Sequence, residues 1–167
     1  MAKLSAGLLP YRITGGNLLE LFLVHPGGPF WAQKDRHVWS VAKGEYGNLD
    51  EPSAAAEREF AEELGVPAPP GARIDLGQVK QPSGKLVRVW AIEAPKFEVE
   101  QVTSNRFEME WPRGSGRRRS FPEVDRAQWM PASMARQRLL KGQLEFIDRL
   151  IGWLGDTGLP HEGRTGD

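Results

Sequence analysis

Two apolar runs open the chain. Residues 4–13 and 18–25 predict strands, and the Thr14-Gly15-Gly16-Asn17 stretch between them has the composition of a hairpin turn. The second run, Leu18-Leu19-Glu20-Leu21-Phe22-Leu23-Val24-His25, is nearly all apolar, as a strand buried on both faces would be. Pro26-Gly27-Gly28-Pro29 breaks it, and a loop follows that carries Phe30, Trp31, Lys34, Asp35 and Arg36. Val38-Trp39-Ser40-Val41 predicts a short strand, and residues 44–50 a glycine-containing loop. The strongest helix pattern covers 52–64. Pro52 suits a first turn, Ala54-Ala55-Ala56 a helix interior, and Gly65 the position after the last turn. Pro67-Ala68-Pro69-Pro70-Gly71 is a rigid loop. Strands follow over 73–80 and 85–94, joined by Pro82-Ser83-Gly84, with a further strand over 107–111. Residues 112–120 form a basic loop, and 123–130 fit a short strand ending near Trp129. Leu140, Leu144, Ile147, Ile151 and Leu154 recur at intervals of four and three, the apolar stripe of a helix over 132–154. Strands mixed with two helices predict an α/β (α+β) sandwich. A single domain over 1–155 and a flexible tail over 156–167 are expected.

Composition narrows the function by exclusion. Lys+Arg and Asp+Glu both number 22 in the 167 residues, so no global field attracts nucleic acid or an anionic membrane, and any strong field is local. The absence of cysteine removes disulfides, thiolate metal sites and cysteine nucleophiles. No run approaches the ~20 apolar residues of a membrane span. The first ten residues, with one charge and a short apolar patch, make a poor signal peptide, so a cytoplasmic protein is expected.

The local field lies in the 52–64 helix. At 3.6 residues per turn, Glu59, Glu62 and Glu63 fall on one face, beside an apolar stripe of Ala56, Phe60 and Leu64. Glu62 and Glu63 occupy the last turn, the negative end of the helix dipole, where each acid costs a few tenths to ~1 kcal/mol. Glu59 and Glu63, four apart, add repulsion, while Arg58 is spaced to pair with Glu62. Selection for helix stability alone would place bases there. A divalent cation removes both penalties, and carboxylates without nearby His or Cys favour Mg²⁺, with Mn²⁺ as the alternative, over Zn²⁺. A solvated acidic face is the bland alternative, weakened by the loop that precedes the helix.

From Gly44 to Val66 the chain resembles the Nudix box. Gly44 is followed by five residues and Asp50. Seven residues later come Arg58-Glu59, then Phe60, Ala61, Glu62-Glu63, Leu64, Gly65 and Val66. Asp50 stands where the box has Glu, and Phe60 where it has an aliphatic residue. Asp50 shortens the reach by one methylene, so any bracing of the loop is weaker or passes to Glu51. The resemblance implies a mixed sheet between helices, an α/β/α sandwich. It implies hydrolysis of a nucleoside diphosphate linked to another moiety, with metal ions on Glu59, Glu62 and Glu63. Glu59 would also accept a proton, and Arg58 would orient the carboxylates, through Glu62. Lys43 and the Gly44 backbone are placed to approach phosphates or a metal, since glycine permits close approach.

An additional acid outside the box is expected, with Glu108, Glu110 and Glu123 as candidates. Trp31, Phe30 and Trp111 are candidates to stack on a base, and Arg117-Arg118-Arg119, with Arg118 at its centre, to attract polyphosphate. Packing and solvated surface are the competing readings of these groups, and a structural hydrogen bond is the default for His25. The segments around 25–29 and 121–127 resemble an uncharacterised bacterial Nudix/NTP pyrophosphohydrolase-like subgroup, and the general layout resembles Nudix hydrolases of dinucleoside polyphosphates. A dinucleoside polyphosphate or NTP is therefore the expected small-molecule partner, with neither membrane nor nucleic acid, and a homodimer left open. The alternative is a non-catalytic Nudix-fold nucleotide sensor. An isopentenyl diphosphate isomerase of the same fold would need a cysteine that this chain lacks.

Overall fold

The computed structural model describes residues 2–156. The expected tail therefore lies, apart from Asp156, outside the described residues.

Strand β1 (Leu4–Thr14) is the axis of the molecule. Its far half pairs antiparallel with β2 (Leu18–Pro26), through the hairpin anticipated at Gly15-Gly16, and its near half pairs antiparallel with β3 (Ala42–Tyr46). Along its other edge β5 (Leu86–Glu93) runs parallel, with β4 (Arg73–Lys80) antiparallel beyond it. The last strand, β8 (Val124–Pro131), pairs antiparallel with β2, completing a mixed six-stranded sheet. Two shorter strands, β6 (Arg106–Glu110) and β7 (Arg118–Pro122), form a separate hairpin.

Alternation along the strands feeds two cores. Leu9, Leu21, Leu23, Val87 and Val89 point to one face, where Phe146, Ile147, Leu150 and Leu154 of helix α3 (Leu144–Asp156) cover them. Ala6, Leu8, Phe22, Val24 and Ile92 point to the other, under Ala55, Ala56, Phe60 and Leu64 of helix α1 (Pro52–Leu64). The result is the α/β/α sandwich expected. Phe60 is fully buried, so truncating it to alanine costs ~3–5 kcal/mol.

Helix α1 has both of its stops. The Glu51 side chain accepts from the Ala54 N–H at 2.8 Å. Gly65 closes the other end in the left-handed region (φ 77°), with its N–H on the Ala61 carbonyl at 2.8 Å. A Cβ at Gly65 would also stand 2.7 Å from the Thr103 carbonyl oxygen, so this position has no room for a side chain.

Three elements differ from expectation. Residues 38–41 make only isolated bridges, Ser40 to Val24 and Trp39 to Leu139, because Trp39 and Val41 are apolar to fill the core and not to line a strand. The strand lies at Ala42–Tyr46 instead, within what the sequence suggested was a loop. The helix over 132–154 is split into α2 (Ala132–Arg138), a 3₁₀ turn at Lys141–Gln143, and α3. The break serves Gln143, which is buried and whose Oε1 accepts from the Val41 N–H at 3.0 Å. The basic loop contributes β7, whose adjacent, exposed Arg118 and Arg119 conceal a strand because they break the apolar–polar alternation.

Candidate active site

The face of α1 that carries Glu59 and Glu63 lies against β3. Lys43 and Gly44 pair in register with Gly7 and Ala6 of β1, which fixes their backbone. The Lys43 N–H donates to Glu63 Oε2 at 3.2 Å. Gly44 lies directly beneath Glu59: a Cβ there would stand 1.9 Å from Glu59 Oε2. Glycine is needed at 44 for the space that the carboxylate occupies.

This packing strips water from the acids. Burial pushes the Glu63 carboxyl up to about 8, with the Lys43 charge and N–H opposing and the Glu59 and Glu123 charges adding to the rise. Burial, then the charge of Glu62, raises Glu59, and Arg58 works against them. Burial also lowers the Lys43 ammonium, helped by the like charge of Lys85. Two carboxylates are thus held in a place that penalises their ionised forms.

A 280 Å³ cavity opens beside them. Lys43, Glu63 and Glu123 give it a charged wall, and Trp31, Val24 and Leu140 an apolar one. Trp31 packs edge-on against Phe30 at 4.7 Å, and Lys34 lies 3.8 Å over the Phe30 ring. A larger hollow of 710 Å³ includes Asp75 and Glu93, but Asp75 is tied to Arg88 at 2.6 Å, so it offers no comparable pair of desolvated acids.

The structure sorts the other sequence candidates. Glu62 is exposed, and no three acidic or histidine side chains among the described residues stand close enough to enclose an ion. Arg58 contacts Glu59 at 3.5 Å, not Glu62 as its spacing suggested. Glu123 lines the cavity, whereas Glu108 pairs with Arg118 at 3.6 Å and Glu110 accepts from the Gly116 N–H at 3.0 Å, both on the outlying hairpin. Arg118 stands on that hairpin and Trp111 at its end, outside the cavity wall. Asp50 accepts from the Gly47 N–H at 2.9 Å and so braces its own loop, leaving the helix cap to Glu51. His25 is completely buried, with Nδ1 2.8 Å from Asp125 and Nε2 2.7 Å from the Lys34 carbonyl, the structural role that was its default. Sequence reasoning missed His37, Val38, Ser40 and Leu140 of the cavity wall, residues in no recognisable motif that meet only through the fold.

A desolvated acid pair beside a glycine-floored strand and a cavity is the arrangement of an enzyme acting on a charged substrate. The chain belongs to the NUDIX family, whose domain model matches residues 3–150, and is a pyrophosphohydrolase acting on acid anhydrides. No curated protein matches it. Among solved structures it is similar to a C. elegans Ap4A hydrolase in a binary complex (TM-score 0.66, 17% identity, covering 93% of this chain and 99% of that one). It is also similar to the NUDIX domain of Shewanella oneidensis NrtR complexed with ADP ribose (0.63, 16%, 92% and 89%) and to a NUDIX hydrolase from Listeria monocytogenes (0.63, 17%, 95% and 99%). At these identities the likeness establishes the shared fold.

Proposed function

We propose that the protein hydrolyses a phosphoanhydride bond in a nucleoside diphosphate-linked substrate, with a dinucleoside polyphosphate or NTP as the leading class, and that it uses Mg²⁺ or Mn²⁺. The observation that carries this is the desolvated pair Glu59 and Glu63, held over Gly44 and on the Lys43 N–H at the edge of the cavity.

The residues fit a hard cation of this kind. Mg²⁺ is ordinarily held by one or two carboxylates together with water and substrate phosphates, not by a complete protein cage. Glu59 and Glu63 supply that donor set, Glu62 a third carboxylate at the exposed edge, and the Gly44 backbone a close approach. When bound, the ion would neutralise phosphate charge and lower the pKa of a coordinated water.

The chain's own groups do the rest. Glu59, steadied by Arg58, accepts the proton of the attacking water. Lys43 places a positive charge against the phosphates. Glu123 adds a further carboxylate to the charged wall beside Glu63, and Trp31 offers a ring to the base. Cleavage of this type asks a protein mainly for position and charge.

The similarity to an Ap4A hydrolase and to a NUDIX domain complexed with ADP ribose motivates the choice of substrates to test. Diadenosine polyphosphates, ADP-ribose, sugar nucleotides, NADH and nucleoside triphosphates would be screened for hydrolysis with Mg²⁺ and with Mn²⁺. Metal-dependent turnover of at least one is expected, and none on any substrate with either metal would overturn the reading.

A further inference from the structure

The β6–β7 hairpin stands on the rim of the site. The Glu123 N–H donates to the Asn105 carbonyl at 2.8 Å, and the Asn105 N–H donates to the Glu62 carbonyl at 3.3 Å, so the base of the hairpin rests on the last turn of α1. On the other side it closes against the loop after β2. A Cβ on Gly27 would lie 1.9 Å from the Pro122 carbonyl oxygen, and one on Gly28 2.9 Å from the Phe107 ring. That loop continues to Trp31 and the cavity.

Register separates the side chains of the hairpin. Phe107 is opposite Phe121 and Met109 opposite Arg119, while Glu108 is opposite Ser120 and Glu110 opposite Arg118. Opposed residues share a face, and faces alternate along a strand. Phe107, Met109, Phe121 and Arg119 therefore share the face turned toward Gly28. Arg117, whose carbonyl accepts from the Trp111 N–H at 2.9 Å, continues it.

The two faces differ in charge. On the outer face Arg118 is matched by Glu108, and Arg106 is bonded to Ser120 at 2.9 Å. On the inner face Arg117 and Arg119 have no acid among them. Among the described residues neither guanidinium makes a hydrogen bond or an ion pair, although both sit in ordered strand or turn.

We propose that this inner face is an anion-binding arm, in which Arg117 and Arg119 take the distal phosphates of a dinucleoside polyphosphate whose reacting pyrophosphate lies at Glu59 and Glu63. The proposal rests on the hydrolase reading above and extends it to substrate length. Arg119 is four residues along the strand from Glu123, a span of roughly 13 Å. The screening length at physiological ionic strength is about 8 Å. A substrate with only two phosphates is therefore largely hidden from these arginines, whereas a longer polyphosphate carries its own charge out to them. Guanidinium groups suit such a partner because their donors match phosphate oxygens in pairs.

The test compares the wild type with R117Q/R119Q on diadenosine substrates containing two to six phosphates, at fixed Mg²⁺ and at two salt concentrations. R136Q, on α2 and outside the cavity wall, controls for lost positive charge. In the double variant, KM for substrates of four or more phosphates should rise about tenfold. Its kcat should hold within about twofold, its KM should respond less to salt, and KM for the diphosphate should stay put. An unchanged KM at every length in an active, folded variant overturns the arm, as does an equal loss at every length. A wild type inactive on the entire series indicts the hydrolase reading instead, which separates the two failures.

Discussion

Helices α1 and α3 have the same length, 13 residues, and cover opposite faces of one sheet, but they place their acids in opposite ways. In α3, Glu145 lies in the first turn, at the favourable end of the dipole, and pairs with Arg149 at 3.1 Å, while Asp148 pairs with Arg136 at 2.7 Å. Neither helix has a base in its last turn, but in α1 the first turn has no acid, and Glu59, Glu62 and Glu63 gather toward the wrong end of the dipole. Even α1 pairs an acid elsewhere: Glu57, on a different side, meets Arg73 at 2.7 Å. The deficit of counter-charge thus belongs to one face of one helix, the face packed on Gly44. Helix α3 pairs its acids within the fold, whereas on that face of α1 three acids share one salt bridge, from Arg58 to Glu59, which is the imbalance that the cation proposed above would relieve.

The sharpest way to break this contrast is to neutralise one of the clustered acids. Glu59→Gln should lower kcat on a confirmed substrate by about 10²–10⁴-fold, the usual contribution of a positioned proton acceptor, while leaving the fold intact. Steady-state kinetics and circular dichroism check this, and turnover near wild type would remove Glu59 from the chemistry.

Next in size is Gly44→Ala. The added Cβ would stand 1.9 Å from Glu59 Oε2, so the carboxylate must move. Displacing a positioned group of this kind costs on the order of 10–100-fold in activity. A variant with unchanged kcat/KM would mean that the seat of Glu59 is immaterial.

The contrast also has a signature in pH. Glu63 holds its proton more tightly folded, at about 8, than at its ordinary 4.5, because burial penalises the ionised form. For the metal-free protein this group's contribution to stability is complete below 4.5 and is lost as pH rises toward 8. Thermal melts in chelator across that window should fall with pH in the wild type and flatten in Glu63→Gln. Parallel profiles for the two proteins would count against a desolvated Glu63. The smallest effect belongs to α3: Asp148→Asn, which removes an exposed pair with Arg136, should change stability by no more than about 1 kcal/mol. A larger loss in denaturant titrations would erase the distinction between the helices.

The sequence made α1 legible because everything that defines it is local: Pro52 at its start, three alanines, Gly65 at its end, and acids at fixed spacing. The central strands were legible for the same reason. What escaped depended on partners distant in sequence. Residues Val38 and Val41 resembled a strand, but they flank Trp39 in the core, while the polar Lys43-Gly44-Glu45 forms the strand because β1 lies beside it. The break before α3 follows from Gln143 reaching Val41, across 102 residues. In the candidate site, the proximity of Glu59, Glu63 and Gly44 followed from the box. Glu123 was indistinguishable from Glu108 and Glu110 until β7 and β8 placed it at the cavity wall. Arg58 lies against its neighbour Glu59 and not against Glu62 one turn away, a choice between two acids that spacing alone does not decide.

The most direct test of the missing counter-charge is a calorimetric titration of Mn²⁺ into the wild type and into Glu59→Gln/Glu63→Gln, each with and without a nucleoside diphosphate. The account predicts saturable uptake by the wild type, tightened by nucleotide, and its loss in the double variant. Equal uptake by both proteins would contradict it.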